Sequence, residues 1–488
     1  MAIVEVERVQ HTHRYDISVK TTIWITIAVI LIMTLLYPTI NFPPTFGSYG
    51  SDMFFHSIGL SMVALVVCLV ILVFDLQKHE PALDFPLHYR ALVVTGLAAL
   101  TGIFFLTPAL SSIPQIPTLL FVLAALFTID ITGAALVELL LLPRKLGKTY
   151  SLERLKASMR FPKYYIMPFI FRKVDLGTYK KMDAAYGLVL TGLIVLFIGE
   201  LIGLLILWLS IFGASFFGAY AQSFGGVGST ISSIIDPHSH GVAVALIAIV
   251  IGLAAAQFGV MKKRDWKRSA ARVGMWISGI SLVALIVVYL AGVFVNYSPP
   301  TLFASGPNGI NGMAGDDALI TMVLLGGIIS LIPLALTKFN GKASARDAVR
   351  FALLFTMLMW LVANALSGFF IEFNESSFQT NLLANDAAFA QFQPMVGIFF
   401  LTIVAMVLIA VDYYGKKGLG RKSVGLVAGI GVALSVIGGL AWVFFDPTVG
   451  GWYFWAYMLG IIVVCLSLVI AIMLIYRTRI KTISIKLS

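Results

Sequence analysis

Apolar residues in this chain come in long runs, at about 21–38, 56–74, 90–109, 117–142, 184–209, 241–261, 272–295, 318–336, 350–371, 395–411, 424–445 and 452–476, parted by shorter polar stretches. Each run is close to the roughly 20 residues that a helix rising about 1.5 Å per residue needs to cross about 30 Å of hydrocarbon. The alternation of a barrel strand is missing, and an open strand edge would leave backbone groups unpaired in lipid. The pattern therefore predicts an all-α integral membrane protein, a bundle of about twelve transmembrane helices. The first run follows a charged leader without a small-residue cleavage site, and further runs follow it, which marks a retained span rather than a removable signal.

The polar connectors predict the sidedness. If residue 1 faces the cytoplasm, all 34 Lys and Arg fall on the cytoplasmic side, in 1–20, 75–89, 143–183, 262–271, 337–349, 412–423 and 477–488 or at the adjoining helix feet Arg90, Arg272 and Arg350. The other side carries only acids, among them Asp52, Asp236, Asp316, Asp317, Glu372, Glu375, Asp386 and Asp446. A missed or invented span would scatter the basic residues over both faces, so this separation supports both the count and the orientation. The expected organisation is a cytoplasmic leader 1–20, a twelve-helix domain 21–476 with a cytoplasmic connector 143–183, and a cytoplasmic tail 477–488. Both termini are then cytoplasmic and the protein is multi-pass in the plasma membrane.

Composition agrees: 59% of residues are hydrophobic, 12% are charged, and the mean hydropathy is +0.95. An ordinary soluble domain is excluded. The formal charge of +11 faces anionic lipid and calls for no nucleic acid. Within the connector, residues 150–160 have the pattern of a short interfacial amphipathic helix. The outer loops 210–237, 296–317 and 372–394 are long, rich in Gly, Ser, Asn, Phe and Pro, and low in charge, which suits a docking surface for other membrane or outer-face subunits of a complex. Cys68 and Cys465 lie inside apolar runs, so no disulfide scaffold or thiolate cluster is expected. Gly192, Gly199 and Gly203 in the fifth run, and Gly425, Gly429, Gly431, Ser435, Gly438 and Gly439 in the eleventh, form small-residue faces suited to close helix approach. No internal repeat stands out.

Candidate chemistry gathers at the outer mouths of the second and sixth runs. In Asp52-Met-Phe-Phe-His56 the two polar side chains share one face if the helix already runs through 52. In Asp236-Pro237-His238-Ser-His240, Asp236 reads as a helix cap with Pro237 in the first turn, and His238 and His240 diverge unless the start is extended. If the two helices are neighbours, His56 meets His238 or His240 near the outer surface. That constellation admits a bis-imidazole haem b, a single transition-metal ion with Asp52 as a carboxylate ligand, or a metal-free quinol and proton site. Interfacial histidines with no further task are the fourth reading. Against haem, the outer side offers no Lys or Arg to its propionates. His11, His13, His79 and His88 lie on the cytoplasmic side and need only solvated roles.

Three carboxylates lie within the hydrocarbon: Asp130 and Glu138, eight residues apart on one helix face, and Glu200. Charged carboxylates there are costly unless neutral, paired or beside water. With no Lys or Arg inside the spans, ion pairing is not expected, and the three suit either a proton path or neutral interhelical hydrogen bonds. In a transporter the same groups would bind a coupling cation.

Phe55-His56-Ser57-Ile58-Gly59-Leu60-Ser61-Met62, opening the second span, resembles the second helix of the haem-copper oxidase and nitric-oxide-reductase catalytic subunits. There a histidine followed by small residues and Met ligates the low-spin haem in a bundle of at least twelve helices with cytoplasmic termini. Asp236-Pro-His238-Ser-His240-Gly is similar to the first metal-ligand helix of that family. The resemblance implies His56 as haem ligand and His238 or His240 as metal ligand. The chain departs from the family in its seventh span, which lacks paired histidines, and in its tenth, which has none where the family supplies both haem-iron ligands. It therefore implies a degenerate relative without the oxygen-reducing centre, or a large hydrophobic subunit of a prokaryotic, for instance archaeal, cytochrome complex. The expected function is that of a membrane subunit of a respiratory electron-transfer complex, a non-autonomous part of an oxidoreductase, acting in quinol oxidation or b-type haem electron transfer near the outer face with proton conduction by Asp130, Glu138 and Glu200. A proton-coupled secondary transporter and a structural anchor for a redox or enzymatic partner are the alternatives.

Overall fold

The structure is a computed structural model that describes residues 2–40, 49–74, 76, 86–106, 115–145, 183–212, 222, 227–258, 266–295, 315–336, 345–363, 388, 392, 400–414 and 419–477. Among them run twelve α-helices: α1 (Ala2–Ile40), α2 (Tyr49–Val73), α3 (Leu87–Leu106), α4 (Gln115–Lys145), α5 (Asp183–Phe212), α6 (Val227–Phe258), α7 (Trp266–Val295), α8 (Gly315–Leu336), α9 (Ala345–Leu361), α10 (Leu401–Tyr414), α11 (Leu419–Phe444) and α12 (Trp452–Arg477). Nine of these contain a stretch long and apolar enough to cross a membrane, while α8 and α10 carry shorter apolar stretches, 318–333 and 401–414. The chain is a polytopic helical membrane protein with a basic end, where its Lys and Arg gather, and an opposite end.

The helices are arranged in three groups of four. In each group the second helix touches the other three: α2 touches α1, α3 and α4; α6 touches α5, α7 and α8; α10 touches α9, α11 and α12. The three central helices α2, α6 and α10 also touch one another, and the remaining nine close a ring in the order α1, α3, α4, α5, α7, α8, α9, α11, α12 and back to α1. The spatial repeat has no counterpart in residue identity. Burial follows the same plan: 83% of the spans in α2 and α6 is enclosed by protein, against 33–50% in the other seven. In α10 every residue except Tyr413 is buried.

Glycine sets the separation of the helices. A Cβ on Gly192 would meet Ile249, one on Gly199 would meet Val242, and one on Gly252 would meet Val189 and the Ala185 carbonyl, so α5 and α6 lie almost backbone to backbone. Gly274 and Gly326 do the same for α7 and α8, and Gly431, Gly438 and Gly460 for α11 and α12. Gly425 instead faces Ala348 of α9, and Gly429 faces open space, so the small-residue face of α11 divides between two neighbours and the outside. Lipid tails are as apolar as Leu, so shape and dispersion hold such seams rather than hydrophobic exclusion. Buried hydroxyls close on their own helix, as Thr95 does on the Ala91 carbonyl and Thr128 on that of Ala124, or cross a seam, as Ser278 does to the Val323 carbonyl at 2.6 Å.

Three expectations change. The leader is helical from Ala2 and runs on into the first span, whose apolar stretch begins at Ile17. The sixth helix does not start at Asp236 and Pro237 but at Val227, inside the segment expected as loop 210–237. Its added turns have a reason to form: Ile234 is buried against Ile202, Leu209 and Val293. The expected amphipathic helix at 150–160 lies outside the described residues, as does most of the three outer loops.

The third change is at the basic end. Asp412, expected in a connector, sits in the last turn of α10 with its side chain fully buried, 3.6 Å from Arg350 of α9. Gln257 of α6 donates to its Oδ2 at 2.9 Å and Arg421 of α11 to its backbone carbonyl at 3.1 Å. Four helices are thus joined around one aspartate, three through its carboxylate and α11 through its peptide oxygen. Removing one partner of a buried pair costs about 3–5 kcal/mol, whereas replacing both by apolar groups is often neutral. Asp412→Ala is therefore expected to lower the melting temperature of the purified protein sharply, and the double variant Arg350→Met, Asp412→Leu to recover most of it, both read by thermal unfolding in detergent.

Candidate functional site

The mouths of α2 and α6 meet. The imidazoles of His56 and His238 lie with ring centroids 6.1 Å apart and planes within 4° of parallel. Helix α2 already runs through residue 52, which puts Asp52 one turn from His56, although its side chain lies outside the described residues. His56 is exposed on one side and takes the ring of Phe121 of α4 edge-on at 5.8 Å. His238 is held from α5: its Nδ1 is 2.8 Å from the Gly199 carbonyl oxygen, which can only accept, so Nδ1 carries the proton and Nε2 keeps the lone pair. Gly203, one turn further along α5, lies under the ring, and a Cβ there would fall 2.5 Å from Cε1. The sequence Gly199-Glu-Leu-Ile-Gly203 thus provides both an acceptor and a flat bed for one imidazole.

A ligating histidine characteristically donates its other ring N–H to a carbonyl or carboxylate, which fixes its tautomer and orientation. With a metal–nitrogen bond of about 2.0–2.1 Å, two imidazoles on opposite sides of one metal ion place their ring centroids about 6 Å apart. The centroid separation and the Nδ1 anchored to a carbonyl are compatible with a two-imidazole ligand set. His240 is rotated by about 200° from His238 on a continuous helix and is joined to the pair by no contact among the described residues. Its Nδ1 is buried without a hydrogen-bond partner there. No group of three or more His, Cys, Asp or Glu gathers among the described residues, so a cage of protein ligands alone is not seen among them.

The carboxylates divide between two places. Glu200, beside Gly199 in sequence, turns toward α4 and accepts a hydrogen bond from Thr132 Oγ1 at 2.9 Å, while its Oε2 is buried without a partner among the described residues. Asp130 and Glu138 lie on another face of α4 and line one cleft of about 460 Å³ with Leu87, Arg90, Gly133, Val137 and Phe197. Here an expectation fails. Arg90 of α3, assigned to a helix foot, reaches along the bundle to Asp130, with Nη1 at 3.2 and 3.3 Å from the two carboxylate oxygens. Asp130 is therefore ion-paired within this chain. The sequence pattern placed Arg90 by its backbone position, and a side chain several ångströms long carries its charge well away from there. The signal available was that α3 and α4 follow each other closely enough to pair.

No protein-family model, curated protein or solved structure matches this chain. What the site can do thus rests on its own geometry.

Asp130→Asn is expected to lower the melting temperature in lipid nanodiscs, and Arg90→Gln added to it to cost little more. A double-mutant cycle would then give a coupling on the order of 1 kcal/mol, since the pair is only partly enclosed. Equal and additive losses would show two independent side chains.

Proposed function

We propose that this chain is a membrane subunit of a respiratory electron-transfer complex of the plasma membrane, holding a haem b, or a single transition-metal ion, between His56 and His238 close to the end opposite the basic residues. The observation that carries this is the pair of parallel imidazoles with 6.1 Å between centroids and the Nδ1 of His238 tied to Gly199. A haem bound there supplies a one-electron carrier within reach of a quinol.

The protein's own residues then have definable tasks. Gly199 orients His238 through its carbonyl, Gly203 admits the ring, and Phe121 shields one edge of His56. Glu200, one residue from Gly199 and with one buried oxygen available, is the carboxyl best situated to take up and pass on a proton in the α4–α5 seam, with Thr132 fixing its other oxygen. Asp130 is engaged by Arg90, and Glu138 shares the cleft with Asp130 on another face of α4, so Glu200 is the carboxyl that serves this seam. The engagement of Asp130 also argues against a coupling-cation site there, and so against the transporter reading.

The resemblance to the haem-copper oxidase and nitric-oxide-reductase catalytic subunits gains support from the packing. The second, sixth and tenth helices, three of the helices that carry ligands in that family, are the central helices of this bundle, while the seventh, a fourth such helix, stands in the ring. The tenth brings no histidine, and the pairing of the second with the sixth leaves a centre for electron transfer without an oxygen-reducing partner. Other subunits of the complex would dock on the outer loops.

The test is an absorption spectrum of the purified chain, dithionite-reduced minus oxidised. A b-type band is expected, lost in His56→Ala and in His238→Ala, and diminished in Gly203→Val, whose side chain would displace the imidazole. No band in the wild-type protein after haem reconstitution, together with no copper or iron by elemental analysis, would remove the metal-holding function.

A further inference from the structure

The turn between α11 and α12 stands at the end opposite the basic residues and carries the two most exposed large hydrophobic side chains among the described residues, Trp452 at 90% and Phe445 at 77%. Asp446 is the one charged residue from 423 to 476. The turn closes on its own bonds. Asp446 Oδ1 accepts from the Thr448 amide at 3.2 Å and from the Thr448 hydroxyl, and the Gly451 amide donates to the Thr448 carbonyl at 3.1 Å. Gly450, at a φ of +89°, takes the left-handed conformation that the bend needs. The exposed rings are therefore held on a defined backbone.

What covers them is indicated by the helix they lead into. Trp452, Trp455, Leu459, Ile462, Leu466 and Met473 follow one another at intervals of three, four and seven, and so form one exposed face of α12. Indoles open this face and aliphatic side chains fill its middle. Tyr476 stands exposed at the basic end, where Lys20 Nζ donates to its carbonyl at 3.2 Å. Trp455 and Tyr476 are 21 residues apart, about 31 Å of helix, and a bilayer's hydrocarbon is about 30 Å thick. An indole combines an apolar body with an N–H that needs an acceptor, which suits it to the level where acyl chains give way to carbonyl and phosphate oxygens. A protein partner gives no reason for a face graded from indole to aliphatic over one bilayer thickness. We infer that the α11–α12 turn is seated in the headgroup layer of the membrane, with Trp452 and Trp455 donating to lipid oxygens, so that lipid fixes the depth of this edge of the bundle. The inference is independent of the haem reading.

Cys68 and Cys465 are both buried, so a cysteine introduced on the exposed face can be spin-labelled selectively. The full chain carrying Trp452→Cys, Trp455→Cys, Leu459→Cys or Leu466→Cys, one at a time, is placed in phosphatidylcholine nanodiscs. Electron paramagnetic resonance then compares collisions of the label with oxygen, which concentrates among acyl chains, and with a water-soluble nickel chelate. From 452 to 466 the nickel collisions should fall severalfold and the oxygen collisions should rise, with the crossover at 452–455. A label at 452 that meets nickel as freely as one on a soluble peptide would lift the turn clear of the membrane. One shielded from both oxygen and nickel would show a protein surface, such as a second copy, covering it; either result overturns the inference. The double variant Trp452→Phe, Trp455→Phe leaves the aromatic rings and removes the indoles. It should lose part of the tryptophan quenching by phosphatidylcholine brominated near its carbonyls, and unchanged quenching would overturn the headgroup level of the indoles.

Discussion

Three helices of this protein meet protein on nearly every side, and in a bilayer that enclosure brings no hydrophobic gain. A side chain leaving lipid for the interior of the bundle exchanges one apolar medium for another, so α2, α6 and α10 can be held only by fit and by the few polar bonds that reach them. The glycine seam between α5 and α6 supplies the fit. The carboxylate of Asp412, drawing in Arg350, Gln257 and the peptide-bound Arg421, supplies the polar bonds at the basic end. Seen this way, the histidine pair is a product of packing: His238 faces α2 because α5 offers no side chain at 199 or 203 to stand in its way.

The membrane class and the helix count were legible because hydropathy records length directly, and the separation of charge tested the count independently. The helix mouths were less legible. Residues 227–235 mix Gly, Ser and Thr with Ile, and Asp-Pro imitates a helix start, so the continuation of α6 through Pro237 could be seen only once Ile234 was found buried. That α2, α6 and α10 are central could not be read at all. Their apolar stretches are built mostly from Val, Leu, Ile and Ala, but so is 318–333 of α8, which belongs to the ring. The threefold plan is likewise silent in the sequence, because the same packing role is filled by different apolar residues in each group.

The candidate site was legible in its residue types and not in its pairings. His56 and the sixth-helix histidines could be named, while the choice of His238 over His240 needed the knowledge that the helix is regular through both. The charged pairs were missed for a single reason: Arg90 and Arg350 were placed by their backbone, at helix feet, and each guanidinium acts a full side chain's length away, on Asp130 and on Asp412.

Helix α6 is fastened at two far points, to Gly199 through His238 and to Asp412 through Gln257, nineteen residues and about 28 Å along the axis. A turn of roughly half a revolution would bring His240 round toward α2 in place of His238. The distant amide forbids it, since the same rotation would swing Gln257 off its carboxylate. The identity of the imidazole presented at one surface of the membrane is thereby decided at the other.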